Sequence, residues 1–310
     1  MKKVVITGGT SMIGLALVNI LLKNDFEILL FTRPKSERNK YIPNSDNITI
    51  VEKELSELSS IKNILTKYDA FFHLGWIGTS KQQRNNPHIQ ELNIQYTLDA
   101  VKLANELGCE TFVGAGSQAE YGVVNQKLFD DTPTNPIMAY GIAKYAAGKL
   151  SKLLCDDLDI RHIWGRVLSV YGPGDNNHTL IMSCINSLLN NERFLTTKGK
   201  QLWDYMYCED CANAFLSMAE RGKHGNVYCV CSGEVKSIKE YIEIIKSNFH
   251  SSIPIGYGDL EYSNNQIMHL QGDVYKLQLH TGFKPEVSFE LGIEKTIDWL
   301  KNNMDKENIK

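Results

Sequence analysis

The stretch that decides the fold is TGGTSMIG, Thr7 to Gly14, which directly follows the apolar run 4–6. A glycine-rich turn between a buried strand and a helix presents free backbone N–H groups, and the positive end of the helix dipole, to an anion. Gly8 permits the tight turn, and Gly14 lets helix and strand pack closely. Ser11 stands where a dinucleotide-binding loop usually has its middle glycine, and its hydroxyl could add a phosphate contact. The stretch predicts a cofactor site, with an ordinary glycine-rich turn as the alternative.

Short apolar runs alternate with amphipathic helical patterns along the first half of the chain. This alternation predicts an α/β fold of Rossmann type, a doubly wound parallel sheet covered on both faces, with a smaller C-terminal α/β substrate domain. The expected strands are 4–6, 27–31, 48–51, 70–74, 111–114, 160–168 and 226–230, and the expected helices are 12–23, 92–107 and 140–154. We expect a dinucleotide-binding domain over 1–170, with a returning segment near 205–232, and a mainly substrate-binding region over 171–310.

The composition is typical of a water-soluble globular protein, with 43% apolar and 22% charged residues. The 33 basic and 36 acidic residues nearly cancel, which argues against sequence-independent binding to nucleic acid. The first apolar run is too short for a signal peptide, and the longest apolar helical pattern, 13–22, is about half of a membrane span. The seven cysteines lack framework spacing, so reduced thiols are expected. We therefore expect a cytoplasmic protein without a membrane or nucleic-acid partner.

The end of the second strand bears on the choice of cofactor. An NAD enzyme usually has an acidic residue there, about 20 positions past the glycines, for the ribose 2′-hydroxyl. Thr32 stands in that place and Arg33 follows, with Lys35 and Arg38 nearby. A guanidinium pairs with a 2′-phosphate, which a carboxylate would repel. The sequence predicts NADP(H), with NAD(H) possible and a solvated basic loop as the alternative.

Ser117, Tyr140 and Lys144 form the candidate catalytic set. Tyr140 and Lys144 are four residues apart and so share one face of a predicted helix. A nearby ammonium stabilises a phenolate and lowers the phenol pKa from its reference of about 10. Such a pair occurs by chance in many helices, but Ser117 follows a predicted strand, at the sheet edge where doubly wound folds bind ligands. Its hydroxyl could hold a substrate oxygen beside the tyrosine.

With these residues in place, the chain resembles the extended short-chain dehydrogenase/reductase family of nucleotide-sugar epimerases, dehydratases and ketoreductases. The resemblance covers nearly the whole chain and is carried by Thr7-Gly8-Gly9, Gly14, Phe72-His73-Leu74, Asn93, Thr97, Ser117, Tyr121-Gly122, Tyr140, Lys144, Tyr171-Gly172-Pro173-Gly174 and Gly282-Phe283-Lys284-Pro285. It implies that Ser117, Tyr140 and Lys144 are catalytic, and that Lys144 also grips the nicotinamide ribose. The implied cofactor contacts are Gly8, Thr10, Ser11, Met12, Ile13, Gly14, Thr32, Arg33, Leu74, Gly75, Trp76, Tyr140, Lys144 and Val167.

Departures from the family pattern concern the substrate. Dehydratases resembling this chain carry an Asp-Glu pair that drives water elimination, but Gln118 and Ala119 occupy those positions, so a 4,6-dehydratase is not expected. Glu120 is offset by one residue, and it either approaches the sugar or is structural. Trp203 replaces an arginine that grips the diphosphate, and it either marks a changed pocket or is a packing residue. The candidate substrate contacts are Ser117, Gln118, Glu120, Ser169, Asn177 and Trp203.

The resemblance leaves three functions open. The first is an NADPH-dependent ketoreductase of a nucleotide-linked 4-keto-6-deoxyhexose, in which Tyr140 protonates the forming alkoxide and Ser117 holds its oxygen. The second is a nucleotide-sugar 4-epimerase that uses the same residues. The third is a non-catalytic NADP-binding regulator, against which the complete set of Ser117, Tyr140 and Lys144 argues.

Metal chemistry is not expected, and a dimer is. Cys208 and Cys211 form a lone Cys-x-x-Cys, whereas a zinc site needs more ligands at suitable spacing. By resemblance, the helices at 92–107 and 140–154 would pair across a two-fold axis to make a homodimer.

Overall fold

The computed structural model describes residues 1–62, 64–249, 252–263 and 266–308. The strands are β1 (Lys3–Thr7), β2 (Glu27–Thr32), β3 (Ile48–Glu52), β4 (Ala70–His73), β5 (Thr111–Ser117), β6 (Arg161–Val167), β7 (Ser169–Tyr171), β8 (Leu195–Thr196), β9 (Leu202–Trp203), β10 (Tyr205–Tyr207), β11 (Asn226–Val230), β12 (Lys236–Ser237), β13 (Gly256–Tyr257) and β14 (His269–Leu270). The helices are α1 (Met12–Lys23), α2 (Pro87–Glu106), α3 (Ala139–Asp157), α4 (Leu180–Leu189), α5 (Cys208–Arg221), α6 (Ile238–Ser247), α7 (Tyr275–Thr281) and α8 (Phe289–Asn308).

A seven-stranded parallel sheet forms the centre of the protein and confirms the predicted doubly wound α/β fold. Its strand order is β11-β6-β5-β4-β1-β2-β3. The chain leaves β1 toward β2 on one side and returns to β4 on the other, so the order reverses between β1 and β4. Ligands of doubly wound sheets bind at the carboxyl ends of the strands beside such a reversal. The smaller strand groups β7–β10, β9–β12–β14 and β8–β13 come from the C-terminal half.

Both faces of the sheet are buried, which explains why its strands are almost uniformly apolar. Val4 and Ile6 contribute to the core cluster that contains the apolar side chains of α1 and α5. Val5, which points the opposite way, contributes to a second cluster with Ala100 and Val101 of α2. All three strand residues are fully buried. The apolar run before the glycine loop is therefore an interior strand of the sheet, buried on both faces.

Several element boundaries differ from the sequence prediction by a few residues, and for two of them the physical reason is clear. Helix α2 begins at Pro87 rather than 92, because Asn86 caps it, accepting a hydrogen bond from the Ile89 amide at 3.3 Å, and proline suits the first helical turn. Strand β5 continues past 114 to Ser117, since Gly114 and Gly116 face the Trp164 ring. A Cβ on Gly114 would lie 2.2 Å from that ring, so these glycines make room for an indole without ending the strand.

The C-terminal half contributes to both parts of the predicted architecture. Strand β11 pairs in parallel with β6 at the edge of the large sheet, and α5 packs against α1. The predicted strand 160–168 instead ends at Val167, and β7 beyond it pairs with β10 in a separate small sheet. The division at residues 170 and 171, with a segment returning near 205–232, stays a prediction.

Candidate active site

The candidate site lies where the carboxyl ends of β1, β4 and β5 meet. Thr7 ends β1, His73 ends β4 and Ser117 ends β5, and these strands are adjacent in the sheet. The site is therefore at the reversal of strand order.

The glycine loop packs so tightly that side chains are excluded at two positions. Gly8 has φ of +73°, and a Cβ there would lie 2.6 Å from the Gly75 nitrogen. A Cβ on Gly14 would lie 2.3 Å from the Gly8 carbonyl oxygen. The two glycines bring the start of α1 against the ends of β1 and β4. This geometry explains why the loop needs glycine at 8 and at 14.

Ser11 needs no glycine-like backbone freedom. Its φ of −70° and ψ of 166° are extended and open to any residue. Its hydroxyl caps α1 by accepting a hydrogen bond from the Gly14 amide at 3.0 Å, so the oxygen expected near a phosphate acts within the loop as a helix cap. Thr10, Met12 and Ile13 surround it at the start of the helix. Because the first turn of α1 contains no acidic residue, its dipole is free to attract an anion.

The end of β2 presents one buried hydroxyl and two arginines with different environments. Thr32 is 3% exposed, and its Oγ1 has no hydrogen-bond partner within the described residues. Arg33 is exposed beside it. Arg38 instead ties two loops together, because its Nε donates to the Thr10 carbonyl at 2.6 Å and its Nη2 to the Gly174 carbonyl at 2.8 Å. An unpartnered buried hydroxyl and an exposed guanidinium at this place suit the ribose end of a dinucleotide.

The wall beyond β4 is held by buried polar contacts. The Leu74 amide donates to the Thr7 carbonyl at 3.1 Å, which carries the chain from β4 into Gly75 and Trp76. His73 shares a hydrogen bond with the Thr7 hydroxyl at 2.8 Å. Burial, aided by the Lys144 charge, lowers the pKa of His73 to about 3, so this histidine is neutral and structural. The backbone of Leu74 and Gly75 lies against Gly8 of the glycine loop, whereas the Trp76 ring packs edge-on against Tyr140.

The structure brings Ser117, Tyr140 and Lys144 together. The Ser117 side chain lies near enough to the Tyr140 phenol to lower its pKa, and Ser117 Oγ accepts a hydrogen bond from the Ala119 amide at 3.2 Å. Lys144 Nζ donates to the Ala115 carbonyl at 2.6 Å, lies 3.7 Å from the centre of the Trp76 indole, and is 5.9 Å from the centre of the Tyr140 ring. Val167 is the register partner of Ser117 in β6 and closes the floor beside it. The roles of these residues in catalysis stay predictions.

Burial dominates the proton affinities in this group. It lowers the pKa of Lys144 to about 7, with Glu120 opposing the change and Arg84 adding to it. Burial raises the pKa of the Tyr140 phenol, whereas the Arg84 guanidinium and the Ser117 side chain lower it. Lys144 is thus a weaker fixed charge near neutral pH than an exposed lysine would be.

Arg84 was not foreseen from the sequence. Its guanidinium carbon lies 4.2 Å from the centre of the Tyr140 ring, and its backbone carbonyl accepts a hydrogen bond from the Tyr140 amide at 2.9 Å. It belongs to the irregular segment between β4 and α2. Such a segment has no helical or strand periodicity from which a contact with a residue 56 positions later could be predicted. The polar stretch SKQQRNNP, 80–87, contains two cations, but nothing in it points to Tyr140.

The burial and hydrogen bonds of Glu120 favour the structural alternative over the predicted sugar contact. Glu120 is 1% exposed. Oε1 accepts from the Ser117 amide at 2.8 Å and from Trp164 Nε1 at 3.0 Å, and Oε2 accepts from Arg166 Nε at 2.7 Å. With both oxygens engaged in the protein interior, Glu120 orients the end of β5 and so supports Ser117.

A cavity of about 400 Å³ lies in the C-terminal half. Trp203 and Tyr205 line it with residues from α4 and the β8 region, and Trp203 Nε1 donates to the Ser169 hydroxyl at 2.7 Å. Ser169 begins β7, two residues after the end of β6 at Val167, so this hydrogen bond links the cavity wall at Trp203 to the segment that follows β6. Gln118 is half-buried, whereas Asn177 is exposed on the loop before α4.

Other chemistries find no support within the described residues. No group of three His, Cys, Asp or Glu side chains there could hold a metal ion. Cys208 and Cys211 are buried in the first turn of α5, in line with a structural role. None of the helices described has the length and apolar character needed to cross a membrane.

Comparisons with known proteins identify the family of the chain. A family model described as the NAD dependent epimerase/dehydratase family matches residues 4–231. The CDP-abequose synthase of Salmonella muenchen is 27% identical and aligns over 96% of this chain and 97% of its own length. The dTDP-4-dehydro-6-deoxyglucose reductase of Escherichia coli is 26% identical, with coverages of 96% and 97%. The solved structure of the UDP-N-acetylglucosamine 4-epimerase from Methanobrevibacter ruminantium, in complex with UDP-N-acetylmuramic acid, superimposes with a TM-score of 0.88 at 25% identity, covering 98% of this chain and 99% of that one.

Proposed function

Because the chain belongs to the NAD dependent epimerase/dehydratase family, we propose that it is an NADPH-dependent reductase of a nucleotide-linked 4-keto-6-deoxyhexose. The observation that carries the proposal is the site itself: Ser117 and Tyr140 meet beside Lys144, while Gln118 and Ala119 supply no acid or base for water elimination. Similarity to the 4-keto-sugar reductase of Escherichia coli supports it.

The residues of the chain fit a dinucleotide at the glycine loop. The start of α1 faces an anion with free amides and a favourable dipole, as a pyrophosphate requires. Thr32 offers a buried hydroxyl without a partner among the described residues, where a ribose would lie. Arg33 is exposed beside it and would pair with a 2′-phosphate, whereas Arg38 is engaged with Thr10 and Gly174. These features favour NADP(H), with NAD(H) as the alternative.

When bound, the reduced nicotinamide supplies the hydride for the C4 carbonyl carbon. Tyr140 donates its phenol proton to the carbonyl oxygen as negative charge develops there. The Ser117 hydroxyl holds the same oxygen. Lys144 binds the ribose and, when protonated, stabilises the phenolate that Tyr140 becomes. Glu120 keeps Ser117 in place through its hydrogen bond with the Ser117 amide.

The cavity in the C-terminal half would receive the nucleotide part of the substrate. Its volume of about 400 Å³ falls in the range of small-molecule sites. Trp203 and Tyr205 provide aromatic faces for a base or a sugar. His178 and Ser183 line the cavity at the start of α4, where a diphosphate would meet the positive end of the helix dipole. The start of α4 would thus take over the binding of the diphosphate from the arginine whose position Trp203 occupies in this chain.

A 4-epimerase is the second candidate, favoured by the similarity to the solved 4-epimerase. Tyr140 and Ser117 suit both reactions, since an epimerase removes and returns hydrogen at one carbon. An epimerase regenerates its own cofactor, however, and a reductase consumes one NADPH for each product.

The direct test is to mix the purified protein with NADPH or NADH and a panel of nucleotide 4-keto-6-deoxysugars, and to follow absorbance of the reduced nicotinamide. We expect stoichiometric oxidation, faster with NADPH, that Tyr140→Phe abolishes. Tyr145→Phe is the matched control, because it removes the same hydroxyl five residues further along the same helix. Interconversion of sugar nucleotides without NADPH consumption would move the assignment to the epimerase.

We also propose that the protein is a homodimer formed through α2 and α3. Ile142, Leu150 and Leu153 lie on one face of α3 and are 51%, 42% and 59% exposed. Leu92 of α2 is exposed as well, and the two helices pack side by side. An apolar stripe on paired helices is a typical two-fold interface.

A further inference from the structure

Arg84 is held in place by a segment whose conformation is fixed from both sides. Gln90 Nε2 donates to the Gly78 carbonyl at 2.8 Å and to the Gln83 carbonyl at 3.2 Å, and Gln90 is 1% exposed. Asn93, equally buried, accepts from the Ile77 amide at 2.8 Å. These buried amides of α2 clamp both ends of the segment and make the position of Arg84 part of the fold.

The clamped segment also holds the start of α3. The Arg84 carbonyl accepts a hydrogen bond from the Tyr140 amide, and Asn85 Oδ1 accepts one from the Ala139 amide at 3.1 Å. The backbone of Arg84 and the backbone of Tyr140 are thus joined directly. The guanidinium stacks on the Tyr140 ring at 4.2 Å, a distance at which a cation and an aromatic face attract.

Apart from its stacking on Tyr140, the Arg84 guanidinium has no hydrogen-bond or ion-pair partner among the described residues. Its Nε is buried without a hydrogen-bond partner among those residues, and Arg84 forms no ion pair among them. A buried donor without a partner is costly, and it persists where a site has a use for it. Arg84 differs in this from Arg166, whose guanidinium is paired with Glu120.

Several charged or polar groups lie near Tyr140, and they differ in their distance from the ring and in their effect on the pKa of the phenol. Lys144 lies 5.9 Å from the ring centre and is directed to the Ala115 carbonyl and the Trp76 indole. The Glu120 charge raises the pKa of the Tyr140 phenol, whereas the Ser117 side chain lowers it. Of these two cations Arg84 is the closer, with its guanidinium carbon 4.2 Å from the ring centre.

We propose that Arg84 is a positioning residue for Tyr140, whose stacked guanidinium stabilises the negative phenolate left when Tyr140 gives up its proton. The proposal rests on the proposed role of Tyr140 as proton donor. In that step the phenol O–H bond breaks and the proton joins the substrate oxygen, which hydride addition at the neighbouring carbon has made basic. A proton from water restores the phenol afterwards.

The stacking makes a prediction that does not depend on substrate. In protein labelled with ¹³Cζ-tyrosine and free of ligand, the resonance absent from Tyr140→Phe belongs to Tyr140. Because Arg84 lowers the pKa of this phenol, Arg84→Gln should raise the titration midpoint of that resonance by about one pH unit. Arg84→Lys should restore part of the difference. Lys81→Gln, which removes a cation from the same segment, should leave the midpoint unchanged.

The reaction provides the second readout. With the sugar substrate, Arg84→Gln should lower kcat about tenfold with little change in KM, and the high-pH limb of kcat/KM should move upward with the phenol. A Tyr140 midpoint that is equal in Arg84→Gln and the parent overturns the proposal, as does a phenol that stays protonated in both while the protein is folded. Absence of turnover in the parent would overturn the proposed function alone, because the titration needs no substrate.

Discussion

At the scale of single residues, a buried ion pair next to β5 holds the candidate catalytic Ser117 in position. Glu120 and Arg166 form an ion pair 2.7 Å apart, and both side chains are almost completely buried. Arg166 also lies over the Tyr121 ring, 4.4 Å from its centre. Because the Ser117 amide and the Trp164 indole share the same carboxylate, one side chain fixes the end of β5 against β6.

Glu120→Gln should therefore destabilise the protein. It leaves the Arg166 guanidinium buried without its counter-charge, and breaking a buried pair in this way costs about 3–5 kcal/mol. The free energy of unfolding in urea measures the effect. Glu27→Gln, which breaks an exposed pair with Lys3, is the control and should change it very little. Equal losses in the two variants would contradict the role assigned to Glu120.

Arg33 is the residue on which the cofactor preference depends. Arg33→Ser should raise KM for NADPH about tenfold or more, because a charge-assisted hydrogen bond to a phosphate is lost. KM for NADH should stay nearly the same, since NADH carries no 2′-phosphate. Lys35→Ser, at the next exposed cation, should have a smaller effect. A parallel change for the two cofactors would show that Arg33 does not contact the 2′-phosphate.

At the scale of elements, the glycine loop shows why a departure from a motif can be neutral. Gly8 and Gly14 are required by close contacts, but Ser11 has ordinary extended dihedrals and caps α1. A serine at this position therefore costs the loop nothing and adds a hydrogen bond. A glycine loop with serine at position 11 can therefore begin α1 as well as one with glycine there.

Variants of Ser11 test this interpretation. Ser11→Ala should lower the free energy of unfolding by about 1 kcal/mol, because the Gly14 amide loses its cap. Ser11→Gly should cost only a few tenths of a kcal/mol, since glycine is itself acceptable as a cap residue. Thermal or urea unfolding distinguishes the two. If alanine were as stable as serine, the hydroxyl would not be a cap.

The sequence predicted elements better than it predicted contacts between them. The fold could be inferred because the periods of strands and helices are local, and the positions of Ser117, Tyr140 and Lys144 followed from strand ends and helix spacing. Glu120 stayed ambiguous, since its partner Arg166 is 46 residues away. Arg84 was missed for the same reason: its contact with Tyr140 depends on an irregular segment held by Gln90, and no periodic pattern reports such a contact.

At the scale of the whole molecule, the two halves of the chain meet around the ends of the sheet. Arg38 links the glycine loop to Gly174, and Tyr41 contacts Trp299 of α8 with ring centres 5.8 Å apart. The cofactor loop and the C-terminal elements thus share contacts. A substrate held by the C-terminal cavity would be presented to the ends of β4 and β5.

The proposed dimer is a property of this scale. Leu150→Glu combined with Leu153→Glu places two charges on the exposed face of α3 and should give a monomer in sedimentation velocity. Leu279→Glu, at an exposed leucine of α7, is the matched control and should leave the dimer intact. A parent protein that sediments as a monomer at micromolar concentration would contradict the proposed interface.

The central claim is that hydride passes from NADPH to C4 of a keto sugar and stays there. The measurement that tests it most directly uses NADPH deuterated at the transferred position of C4 of the nicotinamide, with mass spectrometry and NMR of the sugar product. We expect one deuterium at C4 of each product molecule, matched by one NADPH oxidised, and neither with Tyr140→Phe. A sugar nucleotide inverted at C4 without deuterium and without NADPH loss would contradict the reductase and establish the epimerase.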